Sequence, residues 1–350
     1  MATIEKRGKK WSVRYWTEDQ YGKKVQKRKS GFATKGEAMA AAQGLEQASA
    51  QGIDIHAGQI TLGELLERWY KDIYPTVKQT TAAMYSANID RIKKLSINGQ
   101  KIASLRPGSR PALMSDMIQA GYAPSTAKLA VSTVSIAMSW AVKMGLVVTN
   151  TFVGKTPQVD RRDHVILGDD DIRLLTSACR DIRPSFYGPL LMGLYGGLRA
   201  GEVQALTLDD FDFVRKTVSI KRTFAMGHMQ DPKTRTSRRT ISLPDFVLDY
   251  VKTMQTHRTG VLFAHKNYAQ YLCELIDKTN EQHPDHQLPH MRYHDLRHTH
   301  AAMCIRMGIH AKVISERLGH ASISITMDTY GYLMPGMQEA CAEQIGKLYG

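Results

Sequence analysis

The sequence predicts a multidomain chain, mainly α with small β-sheets, on three observations. A basic N-terminal block alternates faces as strands do, a middle stretch repeats its apolar residues at helical spacing, and the last 190 residues mix helical patterns with two short strand-like runs. At 350 residues the chain is long for one core and suits two or three domains. Its hydrophobic content of 43% is ordinary for a soluble globular protein, and 47 Lys and Arg against 33 Asp and Glu leave a net charge of +14. That excess favours a polyanionic partner, phosphate backbones being the commonest, with a basic soluble enzyme as the bland alternative.

Residues 1 to 56 are read as the first domain, with eleven Lys or Arg against three acids in the first 35 positions. Trp11-Ser12-Val13-Arg14-Tyr15-Trp16 alternates like a strand, and the turn Asp19-Gln20-Tyr21-Gly22 leads into Lys23-Lys24-Val25-Gln26-Lys27-Arg28-Lys29. Thr34 then opens an alanine-rich helical stretch, Glu37 to Ala50. Sheet plus helix competes here with a solvated basic tail, and the interleaved aromatics Trp11, Tyr15, Trp16 and Tyr21 speak against disorder. The candidate DNA contacts are Lys9, Lys10, Arg14, Lys23, Lys24, Lys27, Arg28 and Lys29, joined further on by Arg235 and Arg238.

Residues 51 to 58 lack periodicity and hold two glycines, which marks a linker. The second domain, 57 to 155, opens where Thr61 and Glu64 form a capping box ahead of Leu62, Leu65, Leu66 and Trp69 at helical spacing. Helices are expected over Lys78 to Leu95 and Ser125 to Met144, the latter burying Leu129, Val134, Ile136, Trp140 and Val142. Residues 151 to 164 read as an interdomain linker before a third domain, 165 to 350. Asp169-Asp170-Asp171 could hold magnesium, but at the first turn of a helix three carboxylates are more simply caps favoured by the macrodipole.

The third domain carries the chemistry. Arg199 and Glu202 in Gly197-Leu198-Arg199-Ala200-Gly201-Glu202 are three residues apart, so a carboxylate can aim a guanidinium. Strands are expected at Thr217 to Lys221 and Arg239 to Leu243, with Asp231-Pro232-Lys233-Thr234 between them, flanked by Arg235, Arg238 and Arg239. His294 and Arg297 in His294-Asp295-Leu296-Arg297 share a helix face. Leu318-Gly319-His320 and Asp328-Thr329-Tyr330 follow, adding another ring nitrogen and a phenol. A hydroxyl nucleophile within a ring of cations suits attack on a DNA phosphate, whose transition state spreads negative charge. The rival is zinc, because His294 and His298 have i, i+4 spacing with His283, His286, His290 and His300 nearby, yet no HExxH motif is present and Arg297 would set a fixed charge beside the metal. His298 and His300 are therefore read as structural or DNA-facing.

The order and spacing of these five motifs resemble the catalytic domain of the tyrosine recombinases, the family of phage lambda integrase. The resemblance implies a lambda-integrase-like three-domain architecture: an arm-type DNA-binding domain, a helical core-binding domain ending in the helix around Ser139 to Leu146, and a mixed α+β catalytic domain. It implies that Arg199, His294, Arg297 and His320 hold the scissile phosphate, that Glu202 supports them, that Lys233 protonates the leaving 5′ oxygen, and that Tyr330 is the nucleophile, with His294 a possible base. Many relatives carry histidine two positions after the nucleophile; here it is Tyr332, so two phenols fall near one loop. The implied activity is site-specific recombination of a phage or other mobile element, through a 3′-phosphotyrosyl link and a Holliday junction, by a homotetramer on double-stranded DNA with core-type and arm-type sites and accessory DNA-bending or excision factors. No cofactor and no metal are implied. A type IB topoisomerase-like relaxing enzyme is the alternative, with a DNA-binding regulator or a metal-dependent nuclease behind it.

The amphipathic tail Met337, Cys341, Ile345 and Leu348 would dock on a neighbouring protomer or fold back on its own domain. Cys179, Cys273, Cys304 and Cys341 form no CxxC pair and are expected to be buried, reduced thiols. Without an apolar run of 18 residues or a signal-like N-terminus, the chain is expected in the cytoplasm and away from membranes.

Overall fold

The computed structural model describes the chain apart from residues 1, 19–23, 51–58, 155–163, 232–234, 255–259, 264–266, 334–341, 344, 348 and 350. It divides into two compact units, residues 1–161 and 162–350.

In the first unit β1 (Thr3–Arg7), β2 (Lys10–Glu18) and β3 (Lys24–Phe32) form an antiparallel sheet in sequence order, followed by α1 (Lys35–Ala50). β1 was not anticipated. The alternation in β2 is real, since Val13 and Tyr15 turn inward against Ala38 and Ala42 of α1, a small core of its own. Arg14 and Arg28, opposite one another across β2 and β3, face outward and both bind the Glu5 carboxylate. Thr34 caps α1 by accepting the Glu37 amide at 3.2 Å, while Glu37 accepts the Ala33 amide at 2.9 Å.

A second core lies among α2 (Leu62–Ile73), α3 (Gln79–Ile92), α4 (Ser109–Gln119) and α5 (Pro124–Lys143). The Thr61–Glu64 capping box is present, at 3.2 and 2.8 Å. The buried face of α5 is not the one expected. Ala127, Ala130, Val131, Val134, Ala137, Met138 and Ala141 turn inward, whereas Leu129 and Ile136 are 48% and 45% exposed. Small residues let α5 approach its neighbours closely, so the helix packs by its alanines rather than by its largest side chains. The expected linker also starts too early: Phe152 is fully buried in this core, and its carbonyl accepts the Ser135 hydroxyl at 2.8 Å. The linker at 51–58 lies outside the described residues.

The second unit opens with α6 (Asp169–Ile182), α7 (Pro184–Leu194) and α8 (Ala200–Gln204). The three aspartates at α6 take separate partners: Asp171 caps the Gly168 amide and meets His286 at 2.6 Å, Asp170 pairs with Arg173, and Asp169 with Arg306. β4 (Phe211–Asp212), β5 (Thr217–Ile220) and β8 (Arg239–Ser242) form an antiparallel sheet, and β6 (Thr223–Ala225) with β7 (His228–Gln230) a hairpin inserted between β5 and β8. α9 (Asp245–Thr253) and α10 (Tyr268–Gln282) precede α11 (Tyr293–Arg306), α12 (Ala311–Leu318) and α13 (Ile323–Tyr330). α7 is buried from Phe186 to Leu194 and forms the centre of the core.

Cys179 and Cys304 are buried free thiols, but Cys273 is exposed on α10, and Cys341 lies outside the described residues. Of the tail positions only Ile345 is described, at 54% exposure; Met337 and Leu348 also lie outside. Among the described residues no helix is long and apolar enough to cross a membrane.

Candidate active site

Arg199 occupies the N-cap of α8, with extended backbone, and Glu202 is the third helical residue. The Glu202 carboxylate accepts the Arg199 amide at 2.9 Å and its Nη1 at 2.8 Å, so one buried side chain caps the helix and aims the guanidinium. Burial opposes the charge on Glu202, but the Arg239 hydrogen bond and the charges of Arg239 and Arg199 outweigh it and hold the carboxyl down at about 2. Arg239 donates Nη1 and Nη2 to the two Glu202 oxygens, each at 3.0 Å, and its Nε to the Arg317 carbonyl at 2.6 Å. Motif reading set Arg239 among the cations around Lys233; it is instead a buried girder of the site.

The turn before Arg199 is needed for Arg297. Gly197 has φ +64°, and a Cβ there would stand 2.6 Å from the His300 ring, so only glycine lets the chain pass. Its carbonyl accepts Arg297 Nη1 at 2.7 Å, and the Leu318 carbonyl accepts Nη2 at 2.5 Å. Arg297 is thus fixed by two segments remote in sequence, and burial followed by the Arg199 charge lowers its hold on its proton. His320 follows Gly319, which closes α12 in the left-handed region, and its Nδ1 bonds to Thr326 Oγ1 at 2.8 Å.

These elements enclose a cleft of about 430 Å³ lined by Arg199, Glu202, Thr223, Ser237, His294, Arg297, Gly319, His320, Ala321 and Ile325. Five motif residues, Arg199, Glu202, His294, Arg297 and His320, meet there. His294 opens onto the cleft, yet desolvation and then the Arg297 and Arg199 charges hold it down at about 4. The same causes, joined by Arg239, hold His320 at about 4. Both rings are therefore neutral donors near pH 7 until an anion enters between the arginines.

Tyr330 is 1% exposed, in a small apolar cluster with Ala301, Cys304, Ile305, Ile314 and Leu318. Burial pushes its phenol up to about 12 against the pull of Arg297. Tyr332, its rival in sequence, is 66% exposed. The Tyr330 hydroxyl bonds to Nδ1 of His298 at 2.7 Å. That corrects one expectation, since the histidine at the phenol is His298 rather than His294, while the burial of His298 and His300 agrees with the structural side of their reading as structural or DNA-facing. His300 is buried, its Nδ1 on the Leu194 carbonyl at 2.8 Å and its Nε2 accepting Arg317 Nε at 2.9 Å. The signal for His298 was present, since it lies one helical turn beyond His294, but only the fold brings Tyr330 to that turn.

Lys233 lies outside the described residues. Of the other basic candidates, Lys9, Lys10, Lys24 and Lys29 are exposed, Lys27 is half-buried, Arg14 and Arg28 bind Glu5, and Arg238 meets Asp231 at 2.6 Å. Lys23 is outside the described residues, and Arg235 stands in a single 3-10 turn, Arg235–Ser237.

Two groups of potential metal donors occur among the described residues, His164 with Asp295 and His298, and Cys273 with Asp277 and His290. In the first, the His164 and His298 rings stack 3.7 Å apart at 22°, so their in-plane lone pairs run nearly side by side rather than toward one point. Both Asp295 oxygens are also held by Arg292, at 2.8 Å. The second group is exposed and lines no part of the cleft.

Residues 166–333 match the model of the phage integrase family, and residues 3–48 match that of an arm DNA-binding domain. The chain is 24% identical to a XerC-like tyrosine recombinase of Caldanaerobacter subterraneus subsp. tengcongensis, over 95% of this chain and 94% of the relative. Its fold is similar to that of the Tn1549 transposon integrase in complex with transposon right-end DNA, with TM-score 0.70 and 17% identity, covering 83% of this chain and 100% of that one. A lambda integrase tetramer bound to a Holliday junction is similar at TM-score 0.59 and 18% identity, covering 91% of this chain and 95% of the other.

Proposed function

Since the chain belongs to the phage integrase family of tyrosine recombinases, we propose that it is a site-specific DNA recombinase of a mobile element, with Tyr330 as its nucleophile. The observation that carries this reading is the convergence of Arg199, His294, Arg297 and His320 on one cleft, beside an element that ends in a buried tyrosine. A phosphodiester seated between the two guanidiniums would have its non-bridging oxygens met by charged donors, and by two neutral imidazoles that gain proton affinity as the anion arrives. These donors are fixed before substrate binds, because Glu202, Arg239 and the Gly197 and Leu318 carbonyls hold them.

The tyrosyl oxygen attacks phosphorus, the 5′ oxygen leaves with a proton from Lys233, and the 3′-phosphotyrosyl link stores the bond until a 5′ hydroxyl of the partner duplex attacks it. Two such rounds exchange both strand pairs through a Holliday junction, and four protomers on paired core sites perform them. Residues 1–56 serve as an arm-site domain, 57–155 as the core-binding domain and 165–350 as the catalytic domain. The protein works in the cytoplasm on host DNA.

Covalent capture tests this reading: the protein is incubated with fragmented DNA in chelator, and protein-linked 3′ ends are sequenced. Adducts clustered at one sequence and absent with Tyr330→Phe are expected. No adduct on DNA that the protein binds would overturn it, and relaxation of one supercoiled duplex without partner exchange would mark a topoisomerase instead.

A further inference from the structure

Among the described residues the Tyr330 hydroxyl has one hydrogen-bond partner, Nδ1 of His298. The His298 ring is held from two sides, stacked on His164 at 3.7 Å and edge-on to His294 at 4.8 Å. Its Nε2 is buried and has no partner among the described residues. The ring is neutral in this setting, because burial and then the neighbouring His164 and His294 hold it down at about 3.

Hydrogen-bond accounting selects the tautomer. With the hydrogen on Nε2, Nδ1 accepts the phenol proton and a single N–H is left unmet. With the hydrogen on Nδ1, that N–H donates to the phenol oxygen, and both the phenol's own hydrogen and the Nε2 lone pair are left unmet. The first arrangement leaves fewer orphans, and it points an accepting lone pair at the hydrogen that the nucleophile must lose. His294, four residues earlier on α11, lines the cleft, so the pair stands one helical turn from the place a phosphate would take.

We propose that His298 is a catalytic residue, the acceptor of the Tyr330 proton during attack. The assignment rests on the recombinase reading. The Oη–H bond breaks as an Nδ1–H bond forms; the Oη–P bond forms as the P–O5′ bond breaks, and O5′ takes its proton from Lys233. In rejoining, the imidazolium returns the proton to the phenol. The titratable and charged groups facing His298 are His164 from the segment before α6, His294, Asp295 and Arg297 from α11, and Tyr330 from α13. Of these Asp295 alone raises the proton affinity of the ring, so it stabilises the imidazolium that forms.

The test has an arm without DNA. In ¹⁵N-histidine NMR spectra, Tyr330→Phe is expected to move the His298 Nδ1 signal from that of a hydrogen-bonded acceptor, with Nε2 remaining protonated. An unchanged signal overturns the contact and the proposal with it. The second arm measures single-turnover cleavage of the captured duplex from pH 6 to 9 by the wild type, His298→Asn and His298→Phe. Asparagine can accept the hydrogen bond near the Nδ1 position but cannot take the proton. It should bind DNA like the wild type and cleave about 10²-fold more slowly at pH 7. Its rate should climb about tenfold per pH unit as hydroxide substitutes for the imidazole, while the phenylalanine variant cleaves no faster. A His298→Asn rate within a few-fold of wild type, or above it, overturns proton acceptance and leaves the recombinase standing. A wild type that forms no adduct overturns the recombinase reading itself.

Discussion

Arg239 and Glu202 form a two-pronged ion pair, with Nη1 and Nη2 each 3.0 Å from a carboxylate oxygen and both side chains nearly closed to solvent. The same carboxylate aims Arg199, so one residue joins β8, α8 and the cleft. Glu202→Gln leaves the Arg239 charge buried with half its partner gone, a loss of about 3 to 5 kcal/mol in urea unfolding. Because the folded carboxyl titrates at about 2, below its ordinary 4.5, its contribution is present above pH 4.5 and fades as pH falls toward 2. The gap between wild type and variant should therefore narrow below pH 4.5, and a gap independent of pH would show that the pair does not carry it.

A second acid effect begins earlier. His298 and His300 are buried and held at about 3 and 4, chiefly by burial and then by neighbouring His164 and Arg317, against an ordinary value of 6.5. His300 cannot take a proton without breaking its contact with Arg317 Nε. Below pH 6.5 the unfolded chain binds protons that the folded chain refuses, so stability is full above 6.5 and falls as pH drops toward 4. Each such histidine accounts for about 1.4 kcal/mol per pH unit within that window. Melting temperature should fall steadily between pH 6.5 and 5, less steeply in His300→Gln; a constant melting temperature over that range would contradict the burial of these rings.

Of the five motifs, those whose residues meet at the cleft were legible because their residue types keep a local spacing, as in the helical offset of His294 and Arg297, whereas Pro232, Lys233 and Thr234 lie outside the described residues. What was not legible depends on partners remote in the chain. Arg239 meets Glu202 across 37 residues, Arg297 meets Gly197 across 100, and His298 meets Tyr330 across 32. Spacing likewise found the α5 helix but chose the wrong face, since residue size favours Leu129 and Ile136 while the neighbouring helices accept the alanine row. In the N-terminal block, β2 was legible from its alternation, whereas β1 is only five residues long and carries a single aliphatic residue, Ile4.

Two arginines in one cleft should behave differently on removal. Arg297 is almost fully buried and donates to two backbone carbonyls, so Arg297→Ala strips both acceptors and empties a large volume. It should lose about 3 kcal/mol of stability as well as cleavage. Arg199 is 37% exposed at its side chain, and Glu202 keeps Arg239 when Arg199 is gone. Arg199→Ala should therefore unfold within about 1 kcal/mol of wild type while cleaving about 10² to 10³-fold more slowly. Equal destabilisation by the two variants would mean that Arg199 is structural too.

The N-terminal sheet sets its cations in two classes, and they predict opposite effects. Lys10, Lys24 and Lys29 are exposed, so each that meets a phosphate contributes about 0.9 to the slope of log affinity against log salt. The triple change to alanine should flatten that slope by up to about 2.7 on long DNA carrying the captured site, without slowing cleavage of a duplex confined to the core. Arg14 and Arg28 are instead spent on Glu5, whose carboxyl they hold below its usual range, the Arg14 hydrogen bond most of all. Glu5→Gln removes the negative charge between them and frees both guanidiniums toward a phosphate, so it should steepen the slope and tighten binding at low salt. Weaker binding by Glu5→Gln, with the sheet intact by circular dichroism, would mean that the two arginines must be held by Glu5 to present the surface that meets DNA.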